Sequence, residues 1–146
     1  MKKSCIVVCN SNLSALQWRD SFLSFCYVAE GRVKLMVKDK LEPISGPCIL
    51  ITTYYQLFRG KKIRQEREAL LNEIERREWG LLILDEVHVC PAASFQKVVS
   101  TVKAHCKLGL TATLVREDDK IKDLDFLIGP KLYEANWMDL TNVLLF

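Results

Sequence analysis

The apolar residues of this chain fall into two kinds of segment, which alternate along its length. Short unbroken aliphatic runs are typical of strands that are buried on both faces of a sheet. Such runs predict strands at SCIVVC (4–9), CILITT (48–53) and GLLILD (80–85). VKLMV (33–37) is a short strand candidate, and KLGLTAT (107–113) is also predicted to be a strand.

The segments between these runs carry apolar residues three or four positions apart, which is the spacing of one helical face. They predict helices at 13–26, 61–78, 93–104 and 119–129. The predicted buried face of the first helix consists of Leu13, Leu16, Phe22, Leu23 and Cys26. Its N-terminal cap is expected at Asn10, Ser11 or Asn12. Strands that alternate with helices predict an α/β fold with a parallel sheet flanked by helices.

Composition narrows the class of protein. A chain of 146 residues is long enough for one globular domain. No apolar run approaches the roughly 20 residues of a membrane span, so we expect no membrane partner. The net charge of +3 permits nucleic-acid binding but does not argue for it. The six cysteines form no CxxC pair, which makes structural zinc a weak hypothesis and a reducing compartment the natural expectation.

The run LLILDEVH places two acids directly after a predicted buried strand. Ligands of parallel α/β sheets bind at the carboxyl ends of the strands. Asp85 and Glu86 would therefore emerge at the ligand edge, where one carboxylate suits Mg²⁺ near nucleotide phosphates and the other suits an attacking water. The alternative is an acid pair that merely faces solvent at a strand end. A second polar signal, Thr111 and Thr113 of LTAT, ends the next predicted strand, although threonine favours strands in any case.

Taken together, these motifs resemble a known family. DEVH and LTAT are similar to motifs II and III of the superfamily-two helicases, and the run from His105 to Leu140 resembles the XPB-type helicases of the transcription and repair factor TFIIH. CIVVCNSNLSALQW resembles motif Ia and ILITTYYQLF resembles motif Ib. The resemblance implies a RecA-like lobe of the P-loop NTPase type. It also implies an ATP-driven double-stranded-DNA translocase that works in the nucleus with other TFIIH subunits, in promoter opening and nucleotide excision repair.

The resemblance also implies roles for single residues at the nucleotide site. Asp85 would hold Mg²⁺, through water, and Glu86 would be the general base or the group that orients the attacking water. His88 would report the nucleotide state to motif III, and Thr111 and Thr113 would couple hydrolysis to DNA engagement. The alternative for the histidine and the threonines is a satisfied polar residue at a strand end.

A second group of residues would engage DNA. The R-E-D segment of the family is Arg116, Glu117 and Asp118. The positions where the family touches the DNA backbone are Asn10, Ser11, Gln17, Trp18, Thr52 and Thr53. Each of these residues also has a purely structural alternative. Trp18 could pack in the core, Asn10 and Gln17 could be cap and surface residues, and Asp118 could cap a helix.

The sequence departs from the family in two respects. It holds no G-x-x-x-x-G-K-[ST] run, the Walker A loop that a P-loop motor needs, and no second lobe. We therefore expect residues 1–146 to be a partial ATP-binding domain with motifs Ia, Ib, II and III and the R-E-D segment. The expected sheet is incomplete, with an unpaired edge beside the strand that ends at Asp85. Two hypotheses follow: part of a DNA-translocating ATPase, inactive alone, or a non-catalytic truncated lobe that binds DNA or a TFIIH partner.

Overall fold

A computed structural model describes residues 3–58, 64–87, 92–112 and 127–134 of the chain. These residues form six strands and three α-helices. The strands are β1 Ser4–Cys9, β2 Val33–Val37, β3 Lys40–Leu41, β4 Ile49–Thr53, β5 Trp79–Leu84 and β6 Ala104–Gly109. The helices are α1 Asn12–Phe25, α2 Gln65–Arg76 and α3 Ala92–Thr101. Short 3-10 helices lie at Glu30–Arg32 and Tyr54–Leu57.

The strands form one sheet in the order β3-β2-β4-β1-β5-β6. All pairs are parallel except β2 with β3, which form an antiparallel hairpin. The predicted α/β fold is thus confirmed, with the correction that the sheet is mixed at this end. The two-residue turn at 38 and 39 is too short for the crossover that a parallel connection requires.

The sheet is covered on both faces, as its unbroken apolar runs predict. Ile6 and Val8 of β1 face a cluster formed with residues of α2 and α3, including Leu71 and Phe95. Cys5, Val7 and Cys9 of β1 face the opposite cluster, against which α1 packs. Successive residues of β1 point to opposite faces of the sheet. Because both faces are covered, every residue of the strand is buried.

The strand that ends at the acid pair is paired on both sides, by β1 and by β6. The expected unpaired edge beside it is therefore wrong. Among the described residues, the outer edge of β6 is the one near the site that lacks a strand partner. Asp85 itself lies just beyond β5, which ends at Leu84.

The predicted boundaries of other elements shift by a few residues. α3 ends at Thr101 rather than at 104, and β6 begins at Ala104 and ends at Gly109. α2 is described from Gln65 to Arg76, within the predicted 61–78. The helix predicted at 119–129 lies mostly outside the described residues. Of the helices that are described, none combines the length and apolar composition needed to cross a membrane.

The buried face predicted for α1 is confirmed only in part: Phe22 and Leu23 pack against the core, whereas Cys26 is exposed. Leu13 and Leu16 are 66% and 46% exposed, while Ala15 is the buried residue of the helix. Trp18 and Phe22 pack against the core beside it. A small side chain lets the helix approach the sheet closely, and that requirement outweighs the burial of the two leucines.

Candidate functional site

The carboxyl ends of four parallel strands meet at one edge of the sheet. The chain segments that leave this edge carry most of the predicted site residues. Asn10 and Ser11 follow β1, Tyr54 follows β4, the acid pair follows β5, and Thr111 follows β6 by two positions. The structure therefore brings motifs Ia, Ib, II and the start of motif III to a single rim.

The backbone of Asp85 is fixed from two sides. Its N–H donates to the carbonyl of Val8, at 2.9 Å, which extends the β1–β5 pairing by one step. Its carbonyl accepts a hydrogen bond from the Tyr54 hydroxyl, at 3.2 Å. Because Tyr54 is buried at the end of β4, the first acid is anchored to two strands besides its own.

The side chain of Asp85 is fixed by a third element. The indole N–H of Trp18, on α1, donates to Asp85 Oδ2 at 2.9 Å. From its sequence position, Trp18 was expected either to contact DNA or to pack in the core, and neither expectation included this hydrogen bond. The two residues lie 67 positions apart, so no local pattern could have revealed it.

Glu86 occupies an unusual backbone conformation. Its φ angle is +52°, which makes it the one non-glycine residue with positive φ in the described part of the chain. This conformation turns the chain sharply after β5. As a result the next residue, Val87, donates its N–H to the carbonyl of Leu110 at 3.1 Å. Motif II is thereby joined to the residue that precedes Thr111 in motif III.

A cleft of about 270 Å³ opens between α1 and this turn. Its walls present both polar and apolar surface. They are formed by Ser14, Gln17, Trp18, Ser21, Asp85 and Glu86. Both predicted catalytic acids are thus accessible from a single cavity.

The acid pair suits a magnesium ion that arrives with a nucleotide. Mg²⁺ is commonly held by one or two carboxylates together with substrate phosphates, and it keeps several of its waters. No group of three or more His, Cys, Asp or Glu residues suited to a metal occurs among the described residues. Asp85 and Glu86 thus suit an ion that is also bound by the phosphates of a nucleotide. The two carboxylates do not form a complete metal-binding site on their own.

Burial near the acids also affects a cysteine. The pKa of the Cys9 thiol rises from 9.0 to about 12, chiefly because the side chain is buried and also because of the negative charge of Asp85. Burial likewise raises the pKa of Cys5 to about 11, with a smaller contribution from Cys48. Both thiols therefore stay protonated at neutral pH and behave as small apolar groups.

Three of the predicted DNA-contacting residues already have intramolecular partners. Ser11 caps α1, because its Oγ accepts the N–H of Ser14 at 3.0 Å. The fully buried Thr52 donates its hydroxyl to the Met36 carbonyl at 2.8 Å, and Thr53 Oγ1 accepts the N–H of Gln56 at 3.4 Å. These contacts give the three residues structural roles, and their contact with DNA stays a prediction.

The remaining predicted residues divide by position. Asn10 and Gln17 are exposed, as a residue that touches DNA must be, and Thr111 is half-buried at the rim. His88, Thr113 and the R-E-D residues 116–118 lie outside the described residues. Their roles stay predictions.

Comparison with known proteins places this rim in a family. The family model described as "Type III restriction enzyme, res subunit" matches residues 1–116 of the chain. The chain belongs to this family. The match covers motifs Ia, Ib, II and III and the first residue of the R-E-D segment.

Individual relatives agree with the resemblance read from the motifs. The chain is 52% identical over 141 residues to the general transcription and DNA repair factor IIH helicase/translocase subunit XPB of Dictyostelium discoideum. It is 50% identical over 142 residues to the XPB/SSL2 subunit of Saccharomyces cerevisiae. These alignments cover 96% and 97% of this chain, and the resemblance to XPB-type helicases is confirmed.

The same alignments cover only 18% and 17% of the two relatives, so the chain spans about a fifth of their length. A solved structure, the UvsW helicase from bacteriophage T4, shares the fold with a TM-score of 0.64 at 16% identity. That similarity covers 88% of this chain and 43% of the helicase. The RecA-like fold class is thereby confirmed.

Proposed function

We propose that the chain is part of the first motor lobe of an ATP-dependent double-stranded-DNA translocase. It contributes the segment of that lobe that runs from motif Ia to motif III. The observation that carries this proposal is the rim itself. Asp85 and Glu86 share one cleft, and their turn is hydrogen-bonded through Val87 to the end of β6. A carboxylate for Mg²⁺, a carboxylate for water and a link to motif III are the parts of such a site that these segments can supply.

In this proposal the cofactors are ATP and Mg²⁺. Asp85 holds the ion through water, and Glu86 orients the attacking water as general base. The partners are duplex DNA and other subunits of a TFIIH-type factor, and the place of action is the nucleus. The names of the relatives support these assignments, since they are subunits of a general transcription and DNA repair factor.

A chimera tests the proposal. This chain replaces the matching segment of the Saccharomyces cerevisiae relative, which supplies the rest of that protein's length. We expect DNA-stimulated ATP hydrolysis, and we expect Glu86→Gln to lower the turnover by roughly a hundredfold or more, as the loss of a general base does. ATP binding should change little, because Asp85 remains. A Gln variant that turns over ATP at the normal rate would remove Glu86 from the mechanism.

A second function is favoured by one feature of the sequence. The 146 residues contain no Walker A run, whose backbone amides and lysine hold the phosphates in P-loop motors. A non-catalytic lobe that binds DNA or a TFIIH-type partner would need no such run. The 146-residue chain itself tests the second function: duplex binding by this chain alone would support it, whereas no binding, together with ATP turnover in the chimera, would support the first.

A further inference from the structure

The contact between Trp18 and Asp85 joins a helix to the carboxylate that is proposed to hold magnesium. The indole N–H donates to Oδ2, while the backbone N–H and carbonyl of Asp85 are bonded to Val8 and Tyr54. Fixing the backbone alone leaves the carboxylate free to rotate, because the last side-chain torsion of aspartate is broad. The indole supplies the missing restraint.

The chemistry of the donor matters as much as its position. Indole has one N–H and no acceptor, and it carries no charge. It can therefore hold one carboxylate oxygen while the second oxygen is left for the ion. A lysine or arginine in the same place would bring a positive charge next to a site that must attract a cation.

The donor is itself held firmly. Trp18 is half-buried, and its ring lies 5.6 Å from the ring of Phe22, one helical turn further along α1. Both rings pack against the core on this face of the sheet. The preceding residue, Gln17, is exposed and lines the same cleft as the two acids. A displacement of α1 would therefore move the indole, and with it the carboxylate.

We propose that Trp18 is a positioning residue, whose indole N–H sets the rotation of the Asp85 carboxylate for the magnesium that accompanies ATP. The inference deepens the proposed function and rests on it, since it assumes that Asp85 holds the ion. It assigns to Trp18 a role toward the metal rather than toward DNA. The same role would make α1 the link by which a movement of the motif Ia segment alters the position of the Asp85 carboxylate.

The first test measures magnesium dependence in the chimera. Trp18→Phe keeps an aromatic ring beside Phe22 and removes the N–H. At fixed ATP, we expect the Mg²⁺ concentration for half-maximal turnover to rise about tenfold or more, since partners of metal ligands typically contribute 10–100-fold to metal affinity or activity. Turnover at saturating Mg²⁺ should recover most of its normal rate. A purely structural role would lower the rate without moving this concentration.

The matched control is Phe22→Leu, which disturbs the packing of the same helix and keeps the indole N–H. It should leave the Mg²⁺ dependence within about twofold of the unmutated chimera, because the Asp85 contact remains. An equal shift in both variants would mean that helix packing, rather than the hydrogen bond, sets the metal dependence, and the inference would fall.

A second measurement needs no enzymatic activity and uses the 146-residue chain. The indole N–H signal of Trp18 is followed by ¹⁵N-resolved nuclear magnetic resonance, and Asp85→Ala removes its acceptor. We expect the proton signal to move upfield and to exchange faster with water. The Trp79 indole, which donates to the Ile74 carbonyl at 3.1 Å, reports that the fold is retained. A Trp18 signal that does not change would overturn the inference even if Trp18→Phe failed to fold.

These outcomes separate the inference from the proposed function. If Glu86→Gln abolishes turnover and Trp18→Phe leaves the Mg²⁺ dependence unchanged, the proposed function stands and the role of Trp18 is wrong. If the unmutated chimera does not turn over ATP, the proposed function fails, and the role of Trp18 toward magnesium fails with it.

Discussion

The two strands that flank β5 differ sharply in their surroundings. β1 and β6 are both six residues long and both run parallel to β5, yet every residue of β1 is buried and residues 105–107 of β6 are exposed. β1 has β4 on its other side, whereas no described strand pairs with the outer edge of β6. Burial in a parallel sheet therefore depends on what covers a strand and not only on its own apolar content.

This difference divides the site as well. Asp85 is tied to the buried side, through Val8 of β1 and Trp18 of α1. The turn that contains Glu86 is tied to the exposed side, through Val87 and Leu110. We infer that changes on the β1 side disrupt the fold together with the site. Changes on the β6 side should alter the coupling between motifs with a smaller loss of stability.

The largest expected effect is on the free energy of unfolding, when an apolar side chain is truncated in β1 or in β6. Ile6→Ala on β1 empties a fully buried position and should lower the free energy of unfolding by about 2–5 kcal/mol. Leu108→Ala on β6 removes a half-buried side chain and should cost less than half of that. Urea unfolding monitored by circular dichroism measures both. Equal losses of stability would show that β6 is as well packed as β1, and the difference inferred between the two strands would be wrong.

A smaller but more specific effect compares two cysteines. Cys9 on β1 is fully buried with a pKa of about 12, whereas Cys106 on β6 is exposed. Only the thiolate reacts with iodoacetamide, and a pKa three units above the ordinary 9.0 lowers its fraction by roughly a thousandfold. In the folded chain at pH 8, mass spectrometry should find Cys106 labelled long before Cys9. Comparable labelling rates would mean that β1 opens readily to solvent.

The smallest effect is a loss of stability in alkali. Above pH 9 the unfolded chain releases the proton of Cys9, while the folded chain keeps it until about pH 12. The folded state then binds more protons, so stability is full below pH 9 and falls as the pH rises through this window, by less than about 1 kcal/mol per thiol at pH 9.5. Cys9→Ala should make the decline between pH 8 and 9.5 shallower in urea unfolding, and a decline that the substitution leaves unchanged would contradict this prediction.

Much of the fold follows from the sequence, because most of its strands are short segments rich in aliphatic residues. β1, β2, β4 and β5 all lie within a residue or so of their predicted bounds. The chemistry of parallel sheets then fixes where the acid pair must emerge, and Asp85 and Glu86 lie at that edge. These are local or periodic features, which a single sequence displays directly.

The features that the sequence did not predict depend on tertiary contacts. The predicted buried face of α1 included Leu13 and Leu16, which are exposed, and it omitted Ala15, which is buried against the sheet. The exposure of β6 depends on its neighbours, which its own residues do not reveal. The bond between Trp18 and Asp85 requires α1 and β5 to be placed side by side. Each of these depends on residues far away along the chain.

At position 86 the residue that is best for stability differs from the residue that the proposed activity needs, because the backbone there is left-handed. An L-residue in this conformation costs roughly 1–2 kcal/mol, whereas glycine adopts it without that cost. A search for heat-resistant variants that ignored ATP turnover would therefore favour glycine at position 86 and discard the proposed general base. Engineering of this domain has to hold that position constant, because the most stable residue there is one that cannot orient a water molecule.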